Sequence, residues 1–386
     1  MFEEFLRTVS LEQLFGDQEL NPNCWANHVL FGFPHEDQLT EYKLAVIGVK
    51  DDRGSVNNQS CATAPDEVRK ALYKLIKSEN QLPLFDAGNI EAGDSLKDTY
   101  VALSNIITEF LRMKIIPIII GGSHDLTYAQ FGGYQETGEM INVAVVDSFI
   151  DLQDEEGITD KNFLIRILTH QPNFLFNYSH IGYQTHFTSP QTLDTLDRMH
   201  FDVTRLGKVR SNTNEIEPVM RNANLVSMDM AAVRSSDSLG NADATPNGIF
   251  AEDFCQIARY AGASNQVDTF GIYGVNPKLD VRNQTVELAA QAIWYFVDGF
   301  VSRKNDLPVE NDLDYVQYQV HFKDNHYDMI FWKSLKTDLW WMVVPSSSAN
   351  KRKQKSLLIP CSYADYLAAC REEMPERWLK AYHKLG

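Results

Sequence analysis

The chain has 386 residues, with 35 Lys and Arg against 52 Asp and Glu, which gives a formal net charge of −17. Hydrophobic residues make up 44% and charged residues 23%, values typical of a globular protein rather than a disordered one. The length suits one large domain with additions, or two domains. The acidity argues against a nucleic-acid partner and against an anionic membrane surface, because Lys and Arg carry both kinds of binding.

The cysteines and the N-terminus point to a reducing compartment. The five cysteines form no CxxC pair, so neither a disulfide framework nor a structural zinc site is expected. The N-terminus carries Glu3 and Glu4 where a signal peptide needs positive charge. The longest purely apolar run, Ile115–Ile120, is far shorter than the ~20 residues of a membrane-spanning helix. We therefore expect a cytoplasmic protein that does not bind membranes.

Apolar runs alternate with helical patterns through the middle of the chain. Four runs predict short buried strands: Leu44–Val49, Ile115–Ile120, Val143–Val146 and Leu225–Met228. Three segments with helical spacing of apolar residues predict helices: Pro65–Ile76, Tyr100–Met113 and Thr285–Val301. This alternation predicts an α/β domain with a mainly parallel sheet.

The C-terminal part has a different pattern. Three aromatic-rich segments, Tyr315–Phe322, Tyr327–Lys333 and Leu339–Val344, predict an antiparallel meander. One or two helices are expected to follow, interrupted near Pro375. The sequence thus divides into an N-terminal extension (1–40), an α/β domain (41–305) and a C-terminal meander with helices (306–386).

Several other residues admit a structural and a functional interpretation. The tryptophans Trp332, Trp340 and Trp341 could line a ligand site, but alternating aromatic strands favour a core or an oligomer interface. Four histidines without metal-ligand spacing are interpreted as structural or surface residues: His170, His180, His186 and His326. The basic run at 351–355, with Lys351, Arg352, Lys353 and Lys355, is interpreted as a solvated loop.

Polar residues follow three of the predicted strands. The segments are Gly121–Asp125, Asp147–Asp151 and Ser227–Ala231. Because ligands of open parallel sheets lie beyond the carboxyl ends of the strands, one imidazole and three carboxylates are expected there together. The set comprises His124, Asp147, Asp151 and Asp229. It suits a divalent metal ion, whereas the alternative is that the aspartates cap strand ends and bind water.

The chain resembles the ureohydrolase family of arginases, agmatinases and formimidoylglutamases. The resemblance rests on motifs in chain order: residues 48–72 with Pro65 and Arg69, the Asp86–Ile90 segment similar to a family turn, the GGSHD form of Gly121–Asp125, the Asp147–Asp151 and Ser227–Ala231 segments, and Val275, Asn276, Pro277 and Asp280. The GGSHD form is similar to formimidoylglutamases. The resemblance implies a three-layer α/β/α fold around a mainly parallel sheet.

Three departures from the family pattern affect function. The family holds two manganese ions, and the resemblance assigns His124, Asp147, Asp151 and Asp229 to the first, all of which are present. The second ion loses both of its own ligands, because a histidine is replaced by Phe149 and an aspartate by Ala231. The glutamate that pairs with a cationic substrate is replaced by Gly274. We therefore expect one divalent ion at most, manganese by resemblance, or none.

Three functional hypotheses follow from these departures. The first is a ureohydrolase-fold protein that is not a competent binuclear hydrolase and serves in binding or regulation. The second is a formimidoylglutamase-like hydrolase of linear amidine C–N bonds with a mononuclear or unusual metal site. The third is a non-catalytic assembly or scaffold subunit. The expected partners are a small amidine-like or amino-acid ligand and further copies of the chain in a homo-oligomer. The sequence does not identify catalytic or substrate-binding residues.

Overall fold

The computed structural model describes residues 2–35, 37–77, 83–153, 156–308, 313–322, 327–345 and 356–385. Its strands are β1 Leu6–Arg7, β2 Leu30–Phe31, β3 Leu44–Lys50, β4 Leu84–Glu91, β5 Ile116–Ile120, β6 Ile141–Val146, β7 Leu175–Tyr183, β8 Asp202–Arg205, β9 Leu225–Asp229, β10 Thr269–Tyr273, β11 Tyr315–Phe322, β12 Tyr327–Ser334, β13 Trp340–Val344 and β14 Leu357–Cys361. Its α-helices are α1 Leu11–Phe15, α2 Ala64–Leu72, α3 Leu96–Met113, α4 Leu126–Gly132, α5 Phe163–Leu168, α6 Pro190–Arg198, α7 Leu206–Ser211, α8 Glu217–Arg221, α9 Ala251–Ala263, α10 Gln284–Val301, α11 Tyr363–Cys370 and α12 Glu376–Leu385. His326 and the basic run at 351–355 lie outside the described residues.

A mainly parallel sheet forms the centre of the molecule. Its strand order is β1-β4-β3-β5-β10-β9-β6-β7-β8, with β2 also paired to β4. The short β1 is antiparallel to β4, whereas β3, β5, β10, β9, β6 and β7 run parallel to their neighbours. The predicted α/β sheet is therefore confirmed. The four predicted strands are β3, β5, β6 and β9, whereas β10, which lies between β5 and β9, was not predicted.

Helices cover both faces of this sheet. One face packs against α2, α9 and α10 through residues such as Val68, Ile257 and Ile293. The other packs against α3 and α4 through Leu103 and Ala129, and against α5 through Leu164. Because both faces are covered, the central strands are almost entirely apolar. The three-layer arrangement implied by the resemblance is confirmed.

Two predicted elements differ from the observed ones. Helix α2 ends at Leu72 rather than at Ile76, because the next residues pair with the N-terminal segment: the Trp25 amide donates to the Leu75 carbonyl, and Ile76 bridges to Cys24. The segment Asp86–Ile90, expected as a turn, lies inside strand β4. Its polar side chains are buried against Arg69, whose Nε lies 2.7 Å from Asp86 Oδ2. Ion pairing thus allows polar residues to be buried within a strand of the sheet.

The predicted C-terminal meander is confirmed as a four-stranded antiparallel sheet in the order β11-β12-β13-β14. Helices α11 and α12 cover one face of it. Trp340 and Trp341 are buried, with 7% and 2% of their surfaces exposed, and thus belong to the core rather than to an open ligand site. The Arg221 guanidinium of α8 lies 4.4 Å from the Trp341 ring and 3.2 Å from the Cys361 carbonyl, which joins this sheet to the α/β unit. Among the described residues, no helix has the length and apolarity needed to cross a membrane.

Candidate metal centre

Three nearby strands deliver the four predicted ligands to one edge of the sheet. His124 follows β5, Asp147 and Asp151 follow β6, and Asp229 is the last residue of β9. The strand between β5 and β9 is β10, and it ends next to Gly274. Since these strands are parallel, their carboxyl ends meet at the same edge, and the side chains converge as the sequence predicts.

The imidazole of His124 lies at the centre of the cluster. Its Nδ1 is 3.2 Å from Asp147 Oδ2, 3.2 Å from Asp229 Oδ2 and 3.6 Å from Asp151 Oδ2. All four side chains are buried. Ligand atoms of His124, Asp147 and Asp229 all lie within 4.8 Å of one another, and Asp151 lies beside this set. One ion can therefore contact nitrogen and carboxylate oxygen together.

Hydroxyl groups fix the orientation of the His124 ring. Its Nε2 lies 3.0 Å from the Ser227 hydroxyl, which lies 2.6 Å from the Thr127 hydroxyl. When Nδ1 coordinates an ion, the ring proton must be on Nε2, where it donates to Ser227. Such outer hydrogen bonds hold the tautomer and direction of a ligating histidine.

The cluster is electrostatically strained without a cation. Burial and the neighbouring Asp147 raise the pKa of Asp151 well above its ordinary value. Burial also raises the pKa of Asp229 to about 7, against the opposing effect of His124. Burial alone would lower the pKa of His124, but Asp229 and Asp147 raise it. Carboxylates this close repel one another, and either protons or a cation must balance them.

The donor atoms fit a divalent metal ion. Among the described residues, His124 Nδ1 and Asp151 Oδ2 are buried atoms without a hydrogen-bond partner. Buried polar atoms are normally satisfied, so unpaired ones need an explanation. One imidazole nitrogen with carboxylate oxygens is a donor set suited to manganese and similar ions. His124, Asp147, Asp151 and Asp229 would hold such an ion.

On the other side of Asp147 and Asp229, the side chains at the two positions where the resemblance implies further ligands, Phe149 and Ala231, are apolar. The Phe149 amide donates to Asp147 Oδ1 at 3.2 Å, and the Ala231 amide donates to Asp229 Oδ1 at 2.7 Å. Each of these oxygens is therefore engaged by main chain. The Phe149 ring stacks on Phe187 with a centroid distance of 4.7 Å. Neither Phe149 nor Ala231 offers a side-chain ligand atom.

Gly274 is packed into the same region by its main chain. Its carbonyl accepts hydrogen bonds from the side-chain amides of Asn58 at 2.8 Å and Asn241 at 2.9 Å. Its φ of +75° lies in the left-handed region that favours glycine. The family resemblance indicated only that a carboxylate is missing at position 274. The structure adds that two side-chain amides donate hydrogen bonds to the main chain there.

Loop residues that the sequence did not indicate complete the surroundings. A cavity of about 10 Å³ at the cluster is lined by Asp160, Lys161 and Asp243 as well as by the predicted ligands His124, Asp147 and Asp229. This volume is of the order that one water molecule or ion needs. Asp160 is held by the Ser55 hydroxyl at 2.8 Å. The only sequence signal for these residues is their charge, because none of them ends a strand.

Three histidines that the sequence analysis interpreted as structural or surface residues have structural contacts. His180 is buried, with Nε2 3.0 Å from the Asp147 carbonyl and Nδ1 2.9 Å from the Tyr178 hydroxyl. His170 packs among aromatic rings, including Phe174 at 5.2 Å. His186 contacts the Phe187 ring at 4.1 Å. None of these three described residues forms a hydrogen bond or an ion pair with a carboxylate of the cluster.

The order and spacing of these groups can be compared with known proteins. Residues 42–298 match the sequence profile of the Arginase family. The chain belongs to this family. Curated relatives include formimidoylglutamases of Corynebacterium efficiens, 23% identical over 273 residues (67% of this chain, 85% of the relative), and of Streptococcus pyogenes, 24% identical over 316 residues (73% and 93%). The ureohydrolase resemblance inferred from the sequence is thus confirmed.

Solved structures show the same fold. Trypanosoma cruzi formiminoglutamase with Mn2+2 matches with a TM-score of 0.64 and 19% identity, covering 77% of this chain and 100% of that one. Bacillus subtilis formimidoylglutamase matches with a TM-score of 0.66 and 18% identity, covering 75% and 96%. These matches support the arginase-like fold. At such low identities they do not assign a reaction to this chain, whose chemistry depends on its own residues.

Proposed function

We propose that this arginase-family protein binds one divalent cation through His124, Asp147, Asp151 and Asp229 and is not a competent binuclear hydrolase. The observation that carries the proposal is the asymmetry of the centre. On the His124 side, the buried ligand atoms His124 Nδ1 and Asp151 Oδ2 have no hydrogen-bond partner within the described part of the chain. On the other side lie Phe149 and Ala231. Manganese is the proposed metal, because the Trypanosoma cruzi formiminoglutamase structure contains it.

The apolar side disfavours a second ion. Asp147 Oδ1 and Asp229 Oδ1 already accept main-chain hydrogen bonds, so a second ion would compete with both amides. Each ion needs several oxygen or nitrogen ligands at ~2.0–2.6 Å, and the phenyl ring of Phe149 supplies none. The remaining carboxylate oxygens are directed at His124.

The surroundings also disfavour a cationic amidine substrate. Position 274 offers no carboxylate that could pair with a cationic amidine. Burying an unpaired cation costs several kcal/mol, about as much as breaking a buried ion pair. The cavity of about 10 Å³ does not accommodate an amidine without movement of its walls. A small amidine-like or amino-acid ligand would therefore enter only if contacts that hold these walls were broken.

A second candidate is a formimidoylglutamase-like hydrolase that works with one ion. The names of the curated relatives favour it over an arginase-like reaction. A bound ion would supply a water molecule of lowered pKa. The residues that line the cavity would then hold that water beside the ion.

Metal analysis and an activity panel test the proposal together. We expect at most one manganese ion per chain after dialysis against Mn²⁺, and no urea or formamide from arginine, agmatine or formimidoylglutamate. The His124→Asn variant should bind no manganese, which controls for adventitious surface binding. Turnover of formimidoylglutamate with one ion would favour the second candidate. Two ions per chain with rapid turnover would overturn the proposal. Solution mass tests the expected homo-oligomer.

A further inference from the structure

A lysine is anchored at the apolar side of the centre. Lys161 lines the same cavity as Asp147 and Asp229, and only 13% of its side chain is exposed. Its Nζ lies 2.6 Å from Asp243 Oδ2 and 5.0 Å from the centroid of the Phe149 ring. A cation over an aromatic face is attracted by the ring quadrupole. The ammonium is therefore held from two directions.

The loops that carry this pair are themselves fixed. Asp243 also accepts a hydrogen bond from the Asn57 side-chain amide at 3.1 Å. The Lys161 carbonyl accepts from the Gln153 amide at 3.0 Å, and the preceding Asp160 amide donates to the Gly54 carbonyl at 2.9 Å. Because backbone and side chain are both restrained, the ammonium cannot withdraw from the cavity without breaking several contacts.

The charge of Lys161 is permanent at neutral pH. Burial acts to lower its pKa, but Asp151, Asp160 and Asp243 together raise it above its ordinary value. In turn, the ammonium is among the charges that lower the pKa of Asp147, Asp151 and Asp229. Electrostatic coupling therefore links this lysine to all three carboxylates of the centre.

We propose that Lys161 is a built-in cation at the Phe149 side of the centre, which restricts the centre to a single divalent ion and weakens the binding of that ion. This inference rests on the proposed one-ion function and adds the residue that sets the ion capacity. A divalent ion and an ammonium repel each other strongly in a buried cavity, where charges are screened less than in water. The ammonium also neutralises part of the negative charge that would attract a second ion.

Three variants test this role through manganese binding, which needs no activity. Lys161→Met removes the charge with little change in length, Lys161→Arg retains it, and Lys380→Met is the matched control, since Lys380 is also 13% exposed and pairs with Asp202 far from the centre. We expect calorimetric titration to give Mn²⁺ affinity about tenfold tighter or more for Lys161→Met. Lys161→Arg and Lys380→Met should remain within about twofold of the unmodified protein.

The number of ions that the centre can hold is tested in a variant that carries two additional ligand side chains. In the Phe149→His/Ala231→Asp variant we expect a second manganese ion to bind fully only when Lys161→Met is added. Circular dichroism before titration identifies any variant that fails to fold, and Lys161→Gln then replaces Lys161→Met. A protein that binds no manganese until Lys161 is neutralised would also support the role.

The two proposals fail by different results. Two manganese ions in the unmodified protein would overturn the one-ion function. One ion with equal affinity in the unmodified protein and in Lys161→Met would overturn the role of Lys161 alone. Equal tightening in Lys161→Met and Lys380→Met would also overturn it, because the effect would then reflect net charge rather than position.

Discussion

A Cβ atom on Gly274 would lie 2.5 Å from Oδ1 of Asp229 and 2.8 Å from Nδ2 of Asn241. Side-chain atoms essentially never approach this closely, so position 274 is closed to other residues while Asp229 keeps its place. Position 274, where the family resemblance implies a glutamate, is thus occupied by closely packed main chain. Restoring the glutamate by a single substitution would require Asp229 to move, and with it a predicted metal ligand.

We predict that Gly274→Ala lowers the free energy of unfolding by about 3 kcal/mol, measured by urea denaturation. The loss combines the strain of a left-handed alanine with displacement of Asp229. Gly138→Ala is the control, since Gly138 has φ +71° and no atom near its Cβ position. It should cost only about 1 kcal/mol, from the backbone strain. Equal losses for the two variants would show that the contact with Asp229 is unimportant.

The fold could be predicted where strands are uniformly apolar. Strands β3, β5, β6 and β9 are buried on both faces, and their sequences are therefore mostly apolar. Strand β4 carries Asp86, which faces the buried Arg69, and strand β7 carries His180. These polar residues are satisfied by partners distant in sequence, and no local pattern indicates such pairing.

The residues of the candidate site likewise divide into those that the sequence predicts and those that it does not. His124, Asp147 and Asp229 follow predicted strands, so topology alone brings them together. Lys161 and Asp243 come from loops whose positions depend on contacts between distant segments, such as Asn57 with Asp243. Sequence spacing contains no information on where such loops fold back. The charges of Lys161 and Asp243 at the cavity could therefore not be predicted from the sequence.

The Ser227 hydroxyl should control metal affinity without being a ligand. We predict that Ser227→Ala weakens Mn²⁺ binding by about 10- to 100-fold, because the His124 ring loses the partner of its Nε2. Calorimetric titration measures the change. The control is Ser238→Ala, a buried serine whose hydroxyl bonds Thr285 rather than a histidine. If both variants bind manganese like the unmodified protein, the ring is oriented by its packing alone.

Lys384 should give the stability a distinct pH dependence. Burial lowers its pKa to about 8 in the folded protein. The unfolded chain therefore binds more protons between about pH 8 and its ordinary pKa of about 10.5, and stability should rise with pH over that window. Lys384→Met should remove this rise and stabilise the protein at pH 7 by about 2 kcal/mol.

Lys50, a partly buried lysine in strand β3, provides the control for that experiment. Its hydrogen bond to Asp66 raises its pKa against the opposing effect of burial. Its contribution to stability is present at neutral pH and is lost only as pH rises through the raised pKa. Thermal unfolding of Lys50→Met should therefore retain the rise above pH 8. A rise that persists in Lys384→Met would assign it to other groups.

Arg221 should hold the C-terminal sheet against the α/β unit. Its guanidinium lies over the Trp341 ring at 4.4 Å, bonds the Cys361 carbonyl, and pairs with Glu217 at 2.7 Å. We predict that Arg221→Met lowers the free energy of unfolding by about 2 kcal/mol and speeds proteolytic cleavage between α10 and β11. Arg234→Met is the control, because Arg234 lies over Phe250 at 4.2 Å within the α/β unit and should leave that cleavage unchanged. Equal cleavage rates in both variants would mean that apolar packing alone docks the C-terminal sheet.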